Sequence, residues 1–449
     1  MNSLDWSTSS WRNFPVSQKV DWPNLNHTAG VMTQLANLPA LVFAEETRSL
    51  QRHLSQAAVG ESFILQCGDC AEDFERCNGP RIHRLLRVIL QMATVLSYAG
   101  GKKVVGVGRM AGQYAKPRSN TFEIIDGIPI PVYRGDMING PEATVDARTP
   151  NPDRMLQAYF RSVATLNLVR AFTTGGYASL ENVLEWHTAS TSAIPLSDQY
   201  LPLAKEIERA VRFLKAQGSD NGMRDLRESR VYASHEALLL EYEEALTRVD
   251  TLTGDWYDTS AHFLWVGERT RQPEGAHVEF LRGVNNPLGI KVGPGFCNDD
   301  IARVIDKLNP NNTVGRISLI TRFGAPRIGE ELPKLTQLVE KEGFNVVWIC
   351  DPMHGNTVST NDNRKTRRMT DMLSEIKTFF DVHACGKTHA GGIHLELTGE
   401  DVTECLGGSQ NIEEETLFEN YQTLCDPRLN ANQSLELAFE IASMLEVKK

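Results

Sequence analysis

The stretch Asn345-Val-Val-Trp-Ile-Cys-Asp-Pro-Met-His354 decides the reading of the fold. Its first half, NVVWI, is a short continuous apolar run, as expected of a strand buried on both faces. Its second half turns at once to ionisable side chains, Asp351 and His354. The same pattern recurs on either side. SFILQ (Ser62–Gln66) precedes Asp69-Cys70-Ala71-Glu72, and KVVGV (Lys103–Val107) precedes Arg109. Val231–Ser234, running on through Ala237–Leu240, carries His235-Glu236, and HFLWV (His262–Val266) precedes Glu268-Arg269. GIKV (Gly289–Val292) holds Lys291, RISLI (Arg316–Ile320) precedes Arg322, and GIHLEL (Gly392–Leu397) holds Glu396.

Between most of these runs lie helix-like segments: Pro80–Leu96, Asp299–Leu308, Glu330–Glu342 and Asp371–Phe380. Strand–helix alternation predicts parallel βα units, and eight of them suggest an α/β fold, a closed (β/α)8 TIM barrel. Such barrels place their chemistry on the face formed by the C-terminal strand ends, which is where the polar residues fall. The reading divides the chain into an N-terminal extension of helical character, residues 1–60, and a catalytic barrel, residues 61–449. The long interval between the second and third strands holds a helical run, Asp153–Thr173, and a charged one, Leu203–Gln217. A helical insertion is therefore expected at about 190–230. The last helix is expected over Gln433–Leu445, with Asn432 as its N-cap.

Bulk properties narrow the function. The 46 basic and 57 acidic residues give a formal charge of −11, with no basic stripe, which argues against a nucleic-acid scaffold. No run approaches the roughly 18 apolar residues of a membrane span. The start, MNSLDWSTSSWRNFPVSQKVDWPN, is polar and lacks the apolar stretch of a signal peptide. A cytoplasmic protein is expected. The eight cysteines are too sparse for a disulfide scaffold, so metal or redox chemistry is their better special use.

His354 and Glu396 follow successive strands, Asp426 (in TLCDPRLN) lies after the eighth, and Cys70 after the first. The first and last strands of a barrel are neighbours, so these four can meet. One thiolate, one imidazole and two carboxylates suit a divalent transition metal, Mn2+, Co2+, Fe2+ or Zn2+. Taken singly, a histidine is more often a satisfied polar residue and Glu396 could be a buried ion-pair partner. Their joint placement at strand ends favours ligation. Cys67-Gly-Asp-Cys70 also matches C-x-x-C, but no second pair accompanies it, so a closed zinc site is disfavoured. A redox reading stays open, with Cys425 or Cys67 as partner of Cys70 once the metal is absent.

Arg109, Lys116, Arg118, Arg269, Lys291 and Arg322 fall in or beside strand-end motifs. Arginine forks bind phosphate and carboxylate bidentately, and lysine acts as a point charge. Six such cations could serve two phosphates and a carboxylate. The plainer alternative, ion pairing with Glu236 and Glu268, is expected for one or two of them. Gly106-Val-Gly108-Arg-Met-Ala111 matches a dinucleotide fingerprint, yet Pro117 stands where the pyrophosphate-binding helix should continue. A nicotinamide cofactor is rejected.

The strings LQCGDCAEDF, RMAGQYAKPRS, YRGDMING, YASHEALLLEYE, WVGERTRQ, GIKVGP, CDPMHGNT, GGIHLELTGE, TECLGGSQ and CDPRLN occur in this order. From about Glu61 to the C-terminus the chain resembles the class II (plant- and actinobacterial-type) 3-deoxy-D-arabino-heptulosonate-7-phosphate (DAHP) synthases. The resemblance implies a barrel that condenses phosphoenolpyruvate, D-erythrose 4-phosphate and water into DAHP and phosphate, the first step of the shikimate pathway. It implies Cys70, His354, Glu396 and Asp426 as metal ligands, with Mn2+ or Co2+ foremost and Zn2+ or Fe2+ as further options. Arg109, Glu268, Arg269, Lys291 and Arg322 would surround phosphoenolpyruvate. Lys116 to Ser119 would hold erythrose 4-phosphate, with Arg118 and Ser119 at its phosphate, and Glu236 and Trp265 would line the pocket. Glu268 and Glu236 are candidates for orienting the water, and Lys116 and His354 for protonating the alkoxide. A homo-oligomer and inhibition by aromatic amino acids are implied as well. The segment LAKEIERAVRFLKAQG, with Ile207, Val211 and Leu214 on one stripe, is a candidate accessory helix. TFEIIDGIPIPV, after Ser119, is longer than in some relatives. The competing reading is another metal-dependent barrel enzyme of the phosphosugar aldolase type.

Overall fold

The computed structural model describes residues 6–125, 127–174, 205–207, 209–210, 212–213, 216 and 230–445. Eight strands close into a barrel: β1 Ser62–Gly68, β2 Lys103–Arg109, β3 Val231–Glu236, β4 Phe263–Val266, β5 Leu288–Val292, β6 Ile317–Thr321, β7 Val346–Cys350 and β8 Ala390–Glu396. Every strand runs parallel to its neighbours, and β8 returns to β1 with Ile64 opposite Gly392 and Gly68 opposite Glu396. Closure leaves no edge. Both faces of each strand are covered, which is why the runs read as continuously apolar rather than alternating.

Two layers of core hold the barrel. Outside, strand residues such as Leu65, Val266, Ile290 and Leu395 pack on the surrounding helices through Leu86, Ile89, Val304, Leu335, Ile376 and Phe439. The helix Gly79–Gly100 starts cleanly because the Asn78 side chain accepts the Arg81 N–H, and it stops at Gly101 in the left-handed region. Inside, Phe263, Trp265, Ile320, Val347 and Ile349 fill the lumen. The N-terminal helix Ala44–Ala58 adds Leu50, Leu54 and Ala57 to the same cluster. It packs on β1, β7 and β8 and closes the barrel opposite the site.

Two boundaries differ from the sequence reading. The third strand ends at Glu236; Ala237–Leu239 form a turn, and Leu240–Leu246 is a helix. A short apolar run cannot distinguish a strand from a buried helix start. Leu238, Leu239 and Leu246 are buried with Val31 and Leu35 of the N-terminal helix Leu25–Asn37. The last helix runs from Ala431 to Leu445, and its cap is Asn430, not Asn432. Asn430 Oδ1 accepts the Gln433 N–H at 2.9 Å while Gln433 Oε1 accepts the Asn430 N–H at 3.3 Å, a reciprocal capping pair.

The interval between β2 and β3 carries a hairpin, Phe122–Ile125 against Ile128–Pro131, and the helix Asp153–Thr174. The described residues between 205 and 216 are helical, with Ile207 buried and Glu206 accepting the Tyr98 hydroxyl at 3.2 Å. Val211, Leu214 and most of the expected insertion lie outside the described residues. Among the described residues no helix is long and apolar enough to cross a membrane.

Candidate active site at the C-terminal strand ends

A cavity of about 470 Å³ opens over the C-terminal ends of the strands. Its walls contain Arg109, Lys116, Arg118, Ser119, Glu236, Trp265, Glu268, Arg269, Lys291, Arg322, His354 and Asp426. Strand ends explain most of the convergence, since Arg109, Glu236, Trp265 and Lys291 leave the last two residues of a strand and Glu268, Arg269, Arg322 and His354 the loop just beyond one. Lys116–Ser119 and Asp426 return from the longer segments after β2 and β8. Cys70 and Glu396 lie beneath the cavity, both fully buried.

These two form one corner with Asp426: a sulfur and one oxygen from each carboxylate all lie within 4.8 Å of one another. His354 Nε2 is 3.2 Å from Glu396 Oε1, while its Nδ1 meets Asp351 Oδ2 at 2.7 Å. Asp351 thus orients the ring and leaves Nε2 facing the acids, the second-shell arrangement common to histidine ligands. The Lys116 ammonium sits among the same groups, 3.3 Å from Glu396 and 3.2 Å from Asp426. Burial opposes the charge of Glu396, yet His354, Lys116, Arg367 and Arg109 hold it well below the usual carboxylate range. Asp426 is likewise held low against burial, chiefly by Lys116. Burial, then the neighbouring Cys425 thiol, pushes the Cys70 thiol up. A metal would therefore displace a proton from Cys70 on binding. Thiolate, imidazole and paired carboxylates fit a divalent transition metal.

Asp351, His354 and His394 also lie close enough together to be considered as a cation site. Two of its members, Asp351 and His394, are already committed. Lys291 Nζ meets Asp351 Oδ2 at 2.5 Å. Arg109 can only donate, so His394 Nε2 accepts from it at 2.5 Å and His394 Nδ1 donates to Gln66 Oε1 at 2.8 Å. The corner with Cys70 is the better metal site.

Lys291, Arg269 and Arg322 line the rest of the cavity, and Arg109 bridges to the corner, donating to Glu396 Oε1 at 2.9 Å. Lys291 is 5% exposed, and burial lowers its pKa to about 8 although Asp351 draws it back. Arg109 and Lys291 both lie over the Trp265 ring, at 5.2 and 5.8 Å from its centroid. Arg269 donates to Ser119 Oγ at 2.8 Å, joining the two expected substrate regions. The Arg118 N–H donates to Gln18 Oε1 at 2.8 Å, so the N-terminal segment braces the Lys116–Ser119 loop. The two acids part company. Glu268 is taken up as the ion-pair partner of Arg322. Among the described residues Glu236 Oε1 has no hydrogen-bond partner, and burial raises its pKa.

A family model described as the class-II DAHP synthetase family matches residues 6–442. The chain belongs to the class-II DAHP synthetase family. It is 47% identical over 436 residues to a phospho-2-dehydro-3-deoxyheptonate aldolase of Streptomyces coelicolor, covering 97% of this chain and 96% of that protein. It is 42% identical over 457 residues to the protein of the same name from Neurospora crassa, covering 98% and 94%. The resemblance read from the ordered motifs is thereby borne out.

In this class-II DAHP synthetase chain, the sequence reading passed over several residues that shape the site. Arg367, fully buried, donates to Glu396 Oε2 at 2.8 Å and to the Pro427 carbonyl. It lies in RKTRR, a basic run that reads as solvated surface. Lys365 of the same run lines the cavity and meets Asp426 Oδ1 at 2.7 Å. Gln113 ties the loop after β2 to β3, accepting the Glu236 N–H at 3.0 Å. No spacing rule marks such residues, because their partners come from distant segments.

Proposed function

We propose that phosphoenolpyruvate lies on the Arg109–Lys291–Arg322 side of the cavity, with Arg269 and Glu268 beside it and erythrose 4-phosphate along Lys116–Ser119. A divalent metal is held by Cys70, His354, Glu396 and Asp426. The activity follows from membership: the chain is a DAHP synthase, a transferase that joins phosphoenolpyruvate, D-erythrose 4-phosphate and water into DAHP and phosphate. This is the first step of the shikimate pathway, towards the aromatic amino acids. The observation that carries the site assignment is the meeting, in one cavity, of a thiol–acid corner with the Lys291, Arg269 and Arg322 cations.

In the first bond-forming step, C3 of phosphoenolpyruvate attacks the aldehyde carbon. Positive charge develops at C2, water adds there, and the C–O bond to phosphate breaks. A divalent ion at the corner, Mn2+ or Co2+ foremost with Zn2+ or Fe2+ suited to the same donors, supplies Lewis-acid polarisation of the aldehyde carbonyl. Arg109, Lys291 and Arg322 hold the carboxylate and phosphate while charge shifts, a preorganised electrostatic role. Trp265 floors the pocket and keeps water from beneath these cations. Glu236, with a free carboxylate oxygen and a raised pKa, is the better of the two acids to orient the incoming water. Glu268 keeps Arg322 in place. Lys116, a charged ammonium beside Glu396 and Asp426, and His354 are the candidates for giving a proton to the new alkoxide.

The same reading carries a cytoplasmic homo-oligomer, inhibited by tryptophan, phenylalanine or tyrosine bound away from the metal. Deletion of Ser197–Gly222 is expected to remove that inhibition and leave metal binding intact. The metal assignment has a direct test. Chelation should abolish turnover and Mn2+ or Co2+ restore it, and His354→Ala and Glu396→Ala should lose metal and turnover together. Undiminished turnover by stripped protein in excess chelator would refute it.

A further inference from the structure

Glu375 lies on the outer helix Met369–Cys385, away from the cavity, yet it is 0% exposed. Its carboxylate reaches the loops that follow β6 and β7. One oxygen accepts the Phe323 N–H at 3.0 Å and the Gly324 N–H at 2.9 Å. The other accepts from the Asn356 side chain at 2.7 Å. Asn356 donates its remaining N–H to the Pro352 carbonyl at 2.8 Å, and its Oδ1 accepts the Ala325 N–H at 2.9 Å. One carboxylate and one amide thus tie together the loop behind Arg322 and the loop carrying His354.

The two loops touch backbone to backbone at this point. Gly324 has φ +81°, and a Cβ there would lie 2.7 Å from the Gly355 carbonyl oxygen. Only glycine fits such an approach, and it leaves no side chain between the loops. The arrangement continues into the site, where Arg322 Nη2 donates to the His354 carbonyl at 3.2 Å. A glutamine at 375 would offer one acceptor oxygen and turn an NH2 towards the Asn356 NH2. Three N–H donors converging from two loops call for both oxygens of a carboxylate.

We propose that Glu375 is a positioning residue that fixes Arg322 and His354 relative to each other, so that the phosphoenolpyruvate side and the metal corner are set by one acid outside the cavity. The proposal rests on the assignment of Arg322 and His354 given above. It differs from a general packing role in being one-sided: among the described residues no hydrogen bond runs from the Lys116–Ser119 loop to Glu375 or Asn356.

The test compares Glu375→Gln, Asn356→Ser and Arg322→Lys with the unaltered holoenzyme. Steady-state kinetics give KM for each substrate, and Mn2+ titration of metal-stripped protein gives metal affinity independently of turnover. Loss of one of the three N–H contacts to the Glu375 side chain predicts a rise of up to about tenfold in KM for phosphoenolpyruvate in Glu375→Gln. Mn2+ should bind more weakly in the same variant, and at saturating Mn2+ KM for erythrose 4-phosphate should stay unchanged. Asn356→Ser, which keeps the carboxylate but removes its amide partner, should show the same split and serves if Glu375→Gln does not fold. Both KM values rising together, or neither rising, in whichever variant folds overturns the proposal. If Arg322→Lys also leaves KM for phosphoenolpyruvate unchanged, the assignment of Arg322 has failed as well, so the two failures are distinguishable.

Discussion

Lys291 is a cavity residue whose charge should change near neutral pH. Burial lowers its pKa to about 8, so in the free enzyme its ammonium is largely charged at neutral pH and lost above pH 8. Phosphoenolpyruvate is anionic, and KM for it is therefore expected to climb as pH rises through about 8. Lys291→Arg should remove that climb, because a guanidinium does not titrate in this range. A KM that is flat with pH in the unaltered enzyme would show that Lys291 does not face this substrate. Arg118 gives a second check. If it binds the aldose phosphate as a fork, Arg118→Lys should raise KM for erythrose 4-phosphate about tenfold and leave that for phosphoenolpyruvate near its original value. Equal effects would mean the assignment is wrong. These residues could be picked from the sequence because each falls in or beside a strand-end motif. Arg367 and Glu375 could not, since the fold alone brings Arg367 to Glu396 and Pro427, and Glu375 to the loops after β6 and β7. The different environments of Glu236 and Glu268 were likewise open in the sequence, where both acids were candidate ion-pair partners for the cavity cations.

At the level of elements, the eight strands were legible because parallel strands covered on both faces leave continuous apolar runs between loops. What blurred was their ends. Ala237–Leu240 reads as strand but turns into a helix, since apolarity records burial and not backbone conformation. Asn430 and Asn432 are equally good caps on paper, and the choice falls to Asn430 because Gln433 can return its bond. The helix Ala44–Ala58 reads as part of an N-terminal extension, yet Leu50 and Leu54 fill the base of the barrel lumen. Leu54→Ala should cost about 2–5 kcal/mol of stability through lost burial and the cavity left behind. A clear drop in Tm with both KM values unchanged is the expected result. No change in Tm would mean that the plug is not part of the cooperative core.

For the whole molecule, a chain of net charge −11 gathers Arg109, Lys116, Arg118, Arg269, Lys291, Arg322 and Lys365 around one cavity. The acidic balance of the surface says nothing about this local field, which arises from closing the barrel. The register of β1 on β8 brings Cys70 near Glu396, and the segment beyond β8 returns Asp426 to the same corner, where its N–H meets Cys70 Sγ at 3.3 Å. The ordered motifs hinted at it; the spacing between the two residues did not. The central claim is that this cavity couples both substrates, and phosphate release from phosphoenolpyruvate tests it most directly. With Mn2+ present, release is predicted only when erythrose 4-phosphate is added, with DAHP formed in equal amount. Release without the aldose phosphate, or none with both substrates present, would contradict the account.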